Sequence, residues 1–391
     1  MKKSKESYRR ELQLKLAELM TDQDEEILKQ IDSLLLEDRD LTLKERLLLR
    51  EDLYFSVRRL DVLSELLEDP EVMEIMVNGP EDIYVERKGE LYRFDKSFSS
   101  VERLEDVIQK IVSGCNRVIN AGRPLADARL SDGTRIHAVI PPVALDGPVL
   151  TIRRFPDKAI GMEELIALDA ISEEAAVFLK DLVKAGYSIM IGGGTSAGKT
   201  TFLNALSQYI PLHERLVTIE DTAELRIPGK RNLVRLEAKN ANLEEGISIS
   251  IRDLIRAALR MRPDRIIVGE VRGEETIDLL QALNTGHEGS LSTAHANSPQ
   301  DMILRLETMA LMGMQMPLEA IRRQIASGFD IFVQLGRDRS RKRRLMSVME
   351  VEGFYEGSVK LHSLYERDLS EGILRKTGEL IHTNKLERGG I

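Results

Sequence analysis

The chain has 391 residues, a formal net charge of -9 and 42% hydrophobic residues. At roughly 100 to 200 residues per domain, this length predicts two or three soluble domains, and the acidic balance disfavours a nucleic-acid-binding protein. Aromatic residues make up only 4%, without tryptophan, which disfavours a stacking platform for single-stranded nucleic acid. The single cysteine, Cys115, excludes an internal disulfide and a cysteine zinc cluster.

The amino terminus is basic but lacks the apolar core of a cleaved secretory signal. No stretch approaches the eighteen apolar residues that a membrane-spanning helix requires. We therefore expect a cytoplasmic protein without direct membrane insertion, which reaches the membrane surface only through partners.

Leucines and isoleucines recur at helical spacing in the first part of the chain, which predicts a helical bundle over residues 1–68. Residues 69–155 contain alternating apolar and polar residues around turns at Asn78-Gly79 and Asp132-Gly133, with a helical stretch near residues 101–118. This pattern predicts an α+β module. Residues 156–170 are interpreted as a linker.

Strand and helix patterns alternate over residues 171–391: "YSIMI", "LVTIED", "NLVRLEA", "RIIVGEV" and "SLSTAHA" are strand-like, and helical patterns separate several of them. This order predicts an α/β domain, in which helices cover both faces of a mostly parallel sheet.

The segment "GGTSAGKT" fits the phosphate-binding pattern G-x-x-x-x-G-K-[ST] in the strand-turn-helix context that the motif requires. Its backbone amides and the following helix start would bind nucleotide phosphates. Lys199 would reach the β and γ phosphates of ATP, and Thr200 would hold Mg²⁺. The predicted nucleotide-binding residues are Gly193, Gly194, Thr195, Ser196, Ala197, Gly198, Lys199, Thr200 and Thr201.

Acidic residues follow two further predicted strands. Glu270, at the end of "RIIVGE", is the candidate general base or water-orienting group and a candidate metal ligand, with Gly269 leaving room for it. Glu220 and Asp221, in "VTIEDTAEL", are candidates for magnesium binding, and Glu220 also for catalysis. A loop of solvated acids is the alternative for the second group.

His287 and His295 bracket the segment "HEGSLSTAH". Carboxylates at ligand spacing are missing, which disfavours a zinc site. A loop that senses the γ phosphate fits better, and a turn with hydrogen-bonded histidines is the alternative.

These four segments occur in the order found in the secretion ATPases of type II and type IV secretion and type IV pilus assembly, which the chain resembles. The upstream segments "MVNGP", "DARLSDGTRIHAVIPP" and "LTIRRF" resemble the branch that assembles tight-adherence pili. The resemblance implies a homo-hexameric ATPase motor with a PAS-like amino-terminal module and a RecA-like ATPase domain. It further implies ATP and Mg²⁺ as cofactors and inner-membrane platform proteins as partners.

The resemblance also implies that arginines of the α+β module contact the γ phosphate. The candidates are Arg129, Arg135, Arg153 and Arg154, with Arg135 and Arg153 preferred. Two alternatives for function stay open: a type IV secretion ATPase for conjugation or effectors, and a nucleotide-gated structural ring component with negligible turnover. The basic run "RDRSRKRR" (residues 337–344) is interpreted as a solvated hairpin loop, with an acidic partner or anionic lipid as the alternative.

Overall fold

The computed structural model describes residues 24–37, 60–87, 90–130, 132–154, 160–239, 248–368 and 370–390, and the single residues 42, 46 and 50. The chain divides into two compact units, Met1–Pro156 and Asp157–Ile391. Most of the predicted bundle of residues 1–68 lies outside the described residues, so the bundle stays a prediction. Two helices are described there, α1 (Asp24–Glu37) and α2 (Leu63–Glu68).

The first unit is built on a six-stranded antiparallel sheet, counted over the described residues, with the order β3-β2-β1-β6-β5-β4. Side chains alternate across it, and one face packs on a helix to form a single apolar core. The elements are β1 (Val72–Asn78), β2 (Asp82–Arg87), β3 (Glu90–Arg93), α3 (Val101–Gly114), β4 (Leu125–Arg129), β5 (Arg135–Val139) and β6 (Val149–Arg153).

Both predicted turns of this unit are confirmed. Strands β1 and β2 pair as a hairpin closed by Asn78 and Asp82, with Gly79 at a φ of 79°. The turn between β4 and β5 contains Gly133 at a φ of 96°. Glycine adopts this left-handed conformation without the steric cost that a side chain brings, so each chain reversal occurs where its glycine stands.

The second unit contains a nine-stranded sheet, counted over the described ranges, with the order β15-β14-β13-β12-β7-β11-β10-β8-β9. Its elements are α4 (Met162–Ala167), α5 (Glu173–Ala185), β7 (Ile189–Gly193), α6 (Lys199–Ser207), β8 (Leu216–Glu220), β9 (Leu233–Glu237), α7 (Ile251–Ala258), β10 (Arg265–Val268), α8 (Glu275–Leu283), β11 (Leu291–His295), α9 (Pro299–Gly313), α10 (Leu318–Gly328), β12 (Ile331–Arg337), β13 (Arg343–Tyr355), β14 (Ser358–Arg367), β15 (Leu374–Lys376) and α11 (Asn384–Gly389).

Strands β12, β7, β11, β10, β8 and β9 are parallel, whereas β13, β14 and β15 are antiparallel additions. Alternate residues of β7 face different cores: Ile189 and Ile191 belong to the core that includes α5 and α6, and Met190 to the core that includes α8 and α9. Strands buried on both faces need continuous apolar runs. The predicted mostly parallel sheet with helices on both faces is therefore confirmed.

The first and last segments of this unit pack against its core more closely than their sequences suggest. The segment predicted as a linker contains α4, whose Met162 and Leu165 are buried in the core of the second unit. At the other end, the buried carboxylate of Glu350 accepts the backbone N–H groups of Ile381 and His382, each at 2.7 Å. Over the described residues, no helix combines the length and apolarity needed to cross a bilayer.

Candidate nucleotide-binding site

The turn between β7 and α6 forms the predicted phosphate loop. It contains two residues with left-handed backbone, Ser196 at a φ of 57° and Gly198 at a φ of 92°, and Lys199 begins α6. Successive turns of this kind aim backbone N–H groups toward one concave space, and the helix start adds positive potential there. The loop thus offers the anion-binding geometry that its sequence predicts.

Lys199 is buried at this loop, only 8% exposed. Its Nζ donates to the carbonyls of Gly193 and Gly194, both at 3.2 Å, and lies 3.3 Å from Nδ1 of His295. Burial lowers the pKa of the Lys199 ammonium, Glu270 opposes this effect and Arg272 adds to it. A cation held beside backbone carbonyls can exchange those contacts for phosphate oxygens.

The parallel strands bring three further groups to the same edge. In the register of the sheet His295 lies beside Gly193, and His295 Nε2 is 2.9 Å from Oε1 of Glu270. Arg272 donates to the other carboxylate oxygen of Glu270 at 2.7 Å. Burial lowers the pKa of His295, and the neighbouring Lys199 lowers it further. A continuous chain of polar groups therefore runs from Lys199 through His295 and Glu270 to Arg272.

Glu220 ends β8, next to Gly269 at the end of β10. A side-chain Cβ on Gly269 would stand 3.0 Å from Glu220 Cγ, so glycine leaves room for this carboxylate. Glu220 Oε2 accepts the N–H groups of Glu224 and Leu225 at 2.7 and 2.9 Å. Burial nevertheless raises the pKa of Glu220 to about 7.

Asp221 lies outside this buried group and lines a cavity of about 290 Å³ together with Glu270, Arg272 and Arg252. The cavity is lined by Glu270 and not by Lys199. Its lining mixes four acidic residues with two arginines: Asp221, Glu270, Glu274 and Glu275 against Arg252 and Arg272.

Within the described residues no three His, Cys, Asp or Glu side chains are grouped so that they could hold a metal ion by themselves. Mg²⁺ prefers hydroxyl, carboxylate and water oxygens and retains several of its waters, so one or two side chains can be enough. Thr200 brings a hydroxyl to the first turn of α6. Glu220 Oε1 is buried and has no hydrogen-bond partner within the described residues, so a buried acceptor is still unsatisfied. Thr200, Glu220 and Glu270 are the residues that would hold the ion or its waters, with Asp221 at the cavity side.

Strand pairing places three of the four candidate arginines of the first unit side by side and the fourth elsewhere. Arg129 lies opposite Arg135, and Arg135 opposite Arg153, so these three share one row across β4, β5 and β6. Their row is on the sheet face opposite the core, because Ile136 and Ile152 are buried. Arg154 is different: its guanidinium donates to the carbonyls of Asp69 and Val72.

The structure does not bring His287 to the phosphate loop. His287 precedes β11 and its Nδ1 lies 3.1 Å from the carbonyl of Ala282, near the end of α8, whereas His295 ends β11. The two histidines therefore lie at opposite ends of one strand, His287 before its first residue and His295 as its last. The alternative of a hydrogen-bonded turn fits His287.

Sequence reasoning missed Arg272, although its position two residues after Glu270, beyond the same buried strand, was a usable signal.

A loop of this geometry, with a buried lysine and strand-end carboxylates at the carboxyl edge of a parallel sheet, defines a P-loop nucleotide-binding class. The chain belongs to the Type II/IV secretion system protein family, whose sequence model matches residues 58–358.

Known relatives agree with this family. A protein of Mycobacterium tuberculosis is 36% identical over 313 residues, which cover 78% of this chain and 88% of the relative. The type IV secretion system protein PtlH of Bordetella pertussis is 33% identical over 320 residues, which cover 75% of this chain and 94% of PtlH. The crystal structure of the Legionella pneumophila ATPase DotB has a TM-score of 0.53 at 19% identity, over 74% of this chain and 80% of DotB. This likeness supports the α/β fold alone.

Proposed function

We propose that this protein is an oligomeric Mg·ATP hydrolase that drives a secretion or pilus-assembly machine. The observation that carries the proposal is the chain of polar groups at the phosphate loop, in which Lys199 and Glu270 lie on either side of His295. A buried cation for the phosphates and a carboxylate aimed at the same edge are the two groups that phosphoryl transfer to water needs.

In this mechanism Lys199 and the loop amides hold the β and γ phosphates. Glu270 orients the attacking water and takes its proton, and the cavity beside it supplies that water. Arg272 holds the carboxylate in place through one oxygen before nucleotide arrives, and His295 lies beside the other oxygen. Bound Mg²⁺ would neutralise charge on the phosphate oxygens.

The arginine row of the first unit has the charge to stabilise the γ phosphate. Arg135 and Arg153 are our candidates for this contact, with Arg129 at the edge of the row. We assign Arg154 to the support of its own unit, because its guanidinium is hydrogen-bonded to the carbonyls of Asp69 and Val72.

We further propose a homo-hexameric ring with a PAS-like first unit and a RecA-like second unit, on the cytoplasmic face of the inner membrane. Membrane platform proteins would be its partners, and assembly of a tight-adherence pilus its task. A type IV secretion role in conjugation or effector transfer is a second candidate, which the similarity to PtlH favours. A ring component that binds ATP with negligible turnover is the third.

Two substitutions test the enzyme proposal with the purified full chain. Lys199→Ala should abolish measurable Mg·ATP binding in calorimetry, because it removes the buried cation of the loop. Glu270→Gln should retain binding and lower steady-state phosphate release by at least about 100-fold, in the range seen when a general base is lost. Wild-type protein that assembles, binds ATP and releases no phosphate would favour the structural ring component.

Matched controls are available on the exposed surface of α5. Lys184→Ala and Glu173→Gln remove the same charges from exposed residues that lie outside the loop. Both should bind and hydrolyse ATP as the wild type does. In the native host, complementation with the Glu270→Gln form separates the cargo candidates: loss of surface pili supports the tight-adherence role, and loss of transfer with pili intact supports the second candidate.

A further inference from the structure

The basic hairpin between β12 and β13 stands beside the phosphate loop. Strand β12 is the parallel neighbour of β7, and Leu335 pairs with Gly193, the residue at which the loop begins. Arg337 follows two residues later, so the hairpin leaves the sheet at the same carboxyl edge as the loop. The hairpin is solvated as its composition predicts, since its residues 337–344 are exposed apart from half-buried Asp338 and buried Arg344, but its base lies beside the phosphate loop.

Two hairpin side chains contact the loop directly. Arg337 Nη2 donates to the carbonyl of Ser196 at 3.4 Å, while its Nη1 donates to the carbonyl of Arg341 at 3.1 Å. The side chain of Arg343 packs at Gly198, because a Cβ on that glycine would stand 3.6 Å from Arg343 Cδ. Both arginines therefore lie against the residues whose amides would bind phosphate.

These two arginines are directly opposite each other in the β12–β13 ladder. Like charges at such positions repel and destabilise the strand pair. Within the described residues, neither side chain has a carboxylate within ion-pair distance. Both side chains are exposed, so only solvent screens the repulsion, at a place where an anion is expected to bind.

The acidic residues near the hairpin form ion pairs with a different hairpin residue. Arg344 is buried and pairs with Asp338 at 3.0 Å and with Asp169 at 2.8 Å. It anchors the base of the hairpin, and alternation along β13 directs the preceding Arg343 to the other face, toward the loop. The anchor keeps the arginine pair in place without neutralising it.

We propose that Arg337 and Arg343 form a second anion-binding element of the nucleotide site, which contacts the polyphosphate of Mg·ATP from the side of β12. The inference rests on the proposed function and adds phosphate-contacting residues to it. An anionic lipid surface is the competing ligand for this charge. All four basic side chains are exposed. The contacts of Arg337 at Ser196 and of Arg343 at Gly198 favour the nucleotide, and within the described residues Arg339 and Lys342 make no such contact.

The test compares two double variants of the full chain. Arg337→Gln/Arg343→Gln should raise the Kd for Mg·ATP at least about tenfold, the Kd for Mg·ADP less, and the Kd for AMP least, because fewer phosphates lose a contact. Arg337→Lys/Arg343→Lys should recover part of the affinity. The control Arg339→Gln/Lys342→Gln removes the same charge from the same hairpin and should change each Kd less than about twofold. Calorimetric titration measures all three nucleotides.

Three outcomes would overturn the proposal. Equal losses in the two double variants would indicate a general field effect rather than contact. Unchanged ATP affinity in a folded Arg337→Gln/Arg343→Gln protein would exclude the contact, and if that variant also lost flotation with phosphatidylglycerol vesicles, the hairpin would be a lipid site. Wild-type protein that takes up no ATP would overturn the proposed function as well, and so that failure is distinguishable from the other two.

Discussion

Glu220 is a carboxyl group whose surroundings oppose its ionisation. The residue is 3% exposed, and burial raises its pKa to about 7, although two backbone N–H groups favour the charged form. Its Oε1 lacks a hydrogen-bond partner within the described part of the chain. Near neutral pH the nucleotide-free protein therefore contains a mixture of protonated and ionised Glu220, and only the ionised form is a ligand for Mg²⁺ or its waters.

This shift predicts a pH-dependent stability. The folded state binds the Glu220 proton more tightly than the unfolded state, so the stabilisation is fully present below about pH 4.5 and is lost as pH rises through about 7. Glu220→Gln keeps an oxygen acceptor and is neutral at every pH. The nucleotide-free variant should be more stable than wild type at pH 8, by up to about 3 kcal/mol, and similar to it at pH 5.

Urea unfolding at the two pH values measures the difference. The exposed Glu173→Gln serves as the control and should follow wild type at both. If Glu220→Gln gains no stability between pH 5 and pH 8 relative to wild type, the carboxyl group is ionised throughout and the assignment of its pKa is wrong.

At the level of elements, the sequence predicted what short chain segments determine. The apolar runs of β7, β8 and β10 and the glycine pattern of the phosphate loop are local signals, and both were interpreted correctly as strands and a turn. Strand order is not local. Only the insertion of β12 beside β7 brings Arg337 to the loop, and no spacing in the sequence contains that information.

The prediction that His287 and His295 lie together at the phosphate site depends on strand direction in the same way. His287 and His295 are close in sequence and look like one motif, but four residues of β11 (residues 291–294) lie between them and His295 is the last residue of that strand. An extended strand advances about 3.3 Å per residue. Residues on either side of such a strand are therefore directed to opposite edges of the sheet, and only His295 reaches the site.

Glu350 is the buried acceptor among the contacts that hold the carboxyl-terminal segment. Glu350 of β13 is 1% exposed and accepts the N–H groups of Ile381 and His382. We predict that Glu350→Ala leaves both donors unsatisfied, at a cost of about 1 to 3 kcal/mol each, and so releases residues 377–390. Amide hydrogen exchange of that segment should become at least tenfold faster.

Glu352→Ala is the control for this change, two residues along the same strand. Its backbone carbonyl, which lies 3.1 Å from His382 Nε2, survives the substitution, so exchange should stay near the wild-type rate. Equal protection in Glu350→Ala and wild type would mean that the remaining contacts hold the segment, among them the ion pair of Lys385 with Asp330 at 2.8 Å and the hydrogen bond that Tyr187 Oη donates to the carbonyl of His382 at 2.6 Å.

For the whole molecule, the two units have separate cores. Every buried apolar residue of one core lies between residues 62 and 152, and those of the other two lie between residues 162 and 365. Units with independent cores can unfold as independent cooperative transitions. The phosphate loop belongs to the second unit, whereas the arginine row belongs to the first.

Calorimetry of the full chain therefore tests whether both units bind the nucleotide. A ligand at 100 times its Kd stabilises the state that binds it by about 2.7 kcal/mol. If only the loop binds, Mg·ADP should shift the transition of the second unit alone, whereas Mg·ATP should shift both transitions when Arg135 and Arg153 contact the γ phosphate. Arg135→Gln/Arg153→Gln should then cancel the shift of the first unit and leave that of the second, and Lys199→Ala should cancel both. If Mg·ATP leaves the unfolding temperature of the first unit unchanged in the assembled wild type, the arginine row is excluded from the nucleotide site.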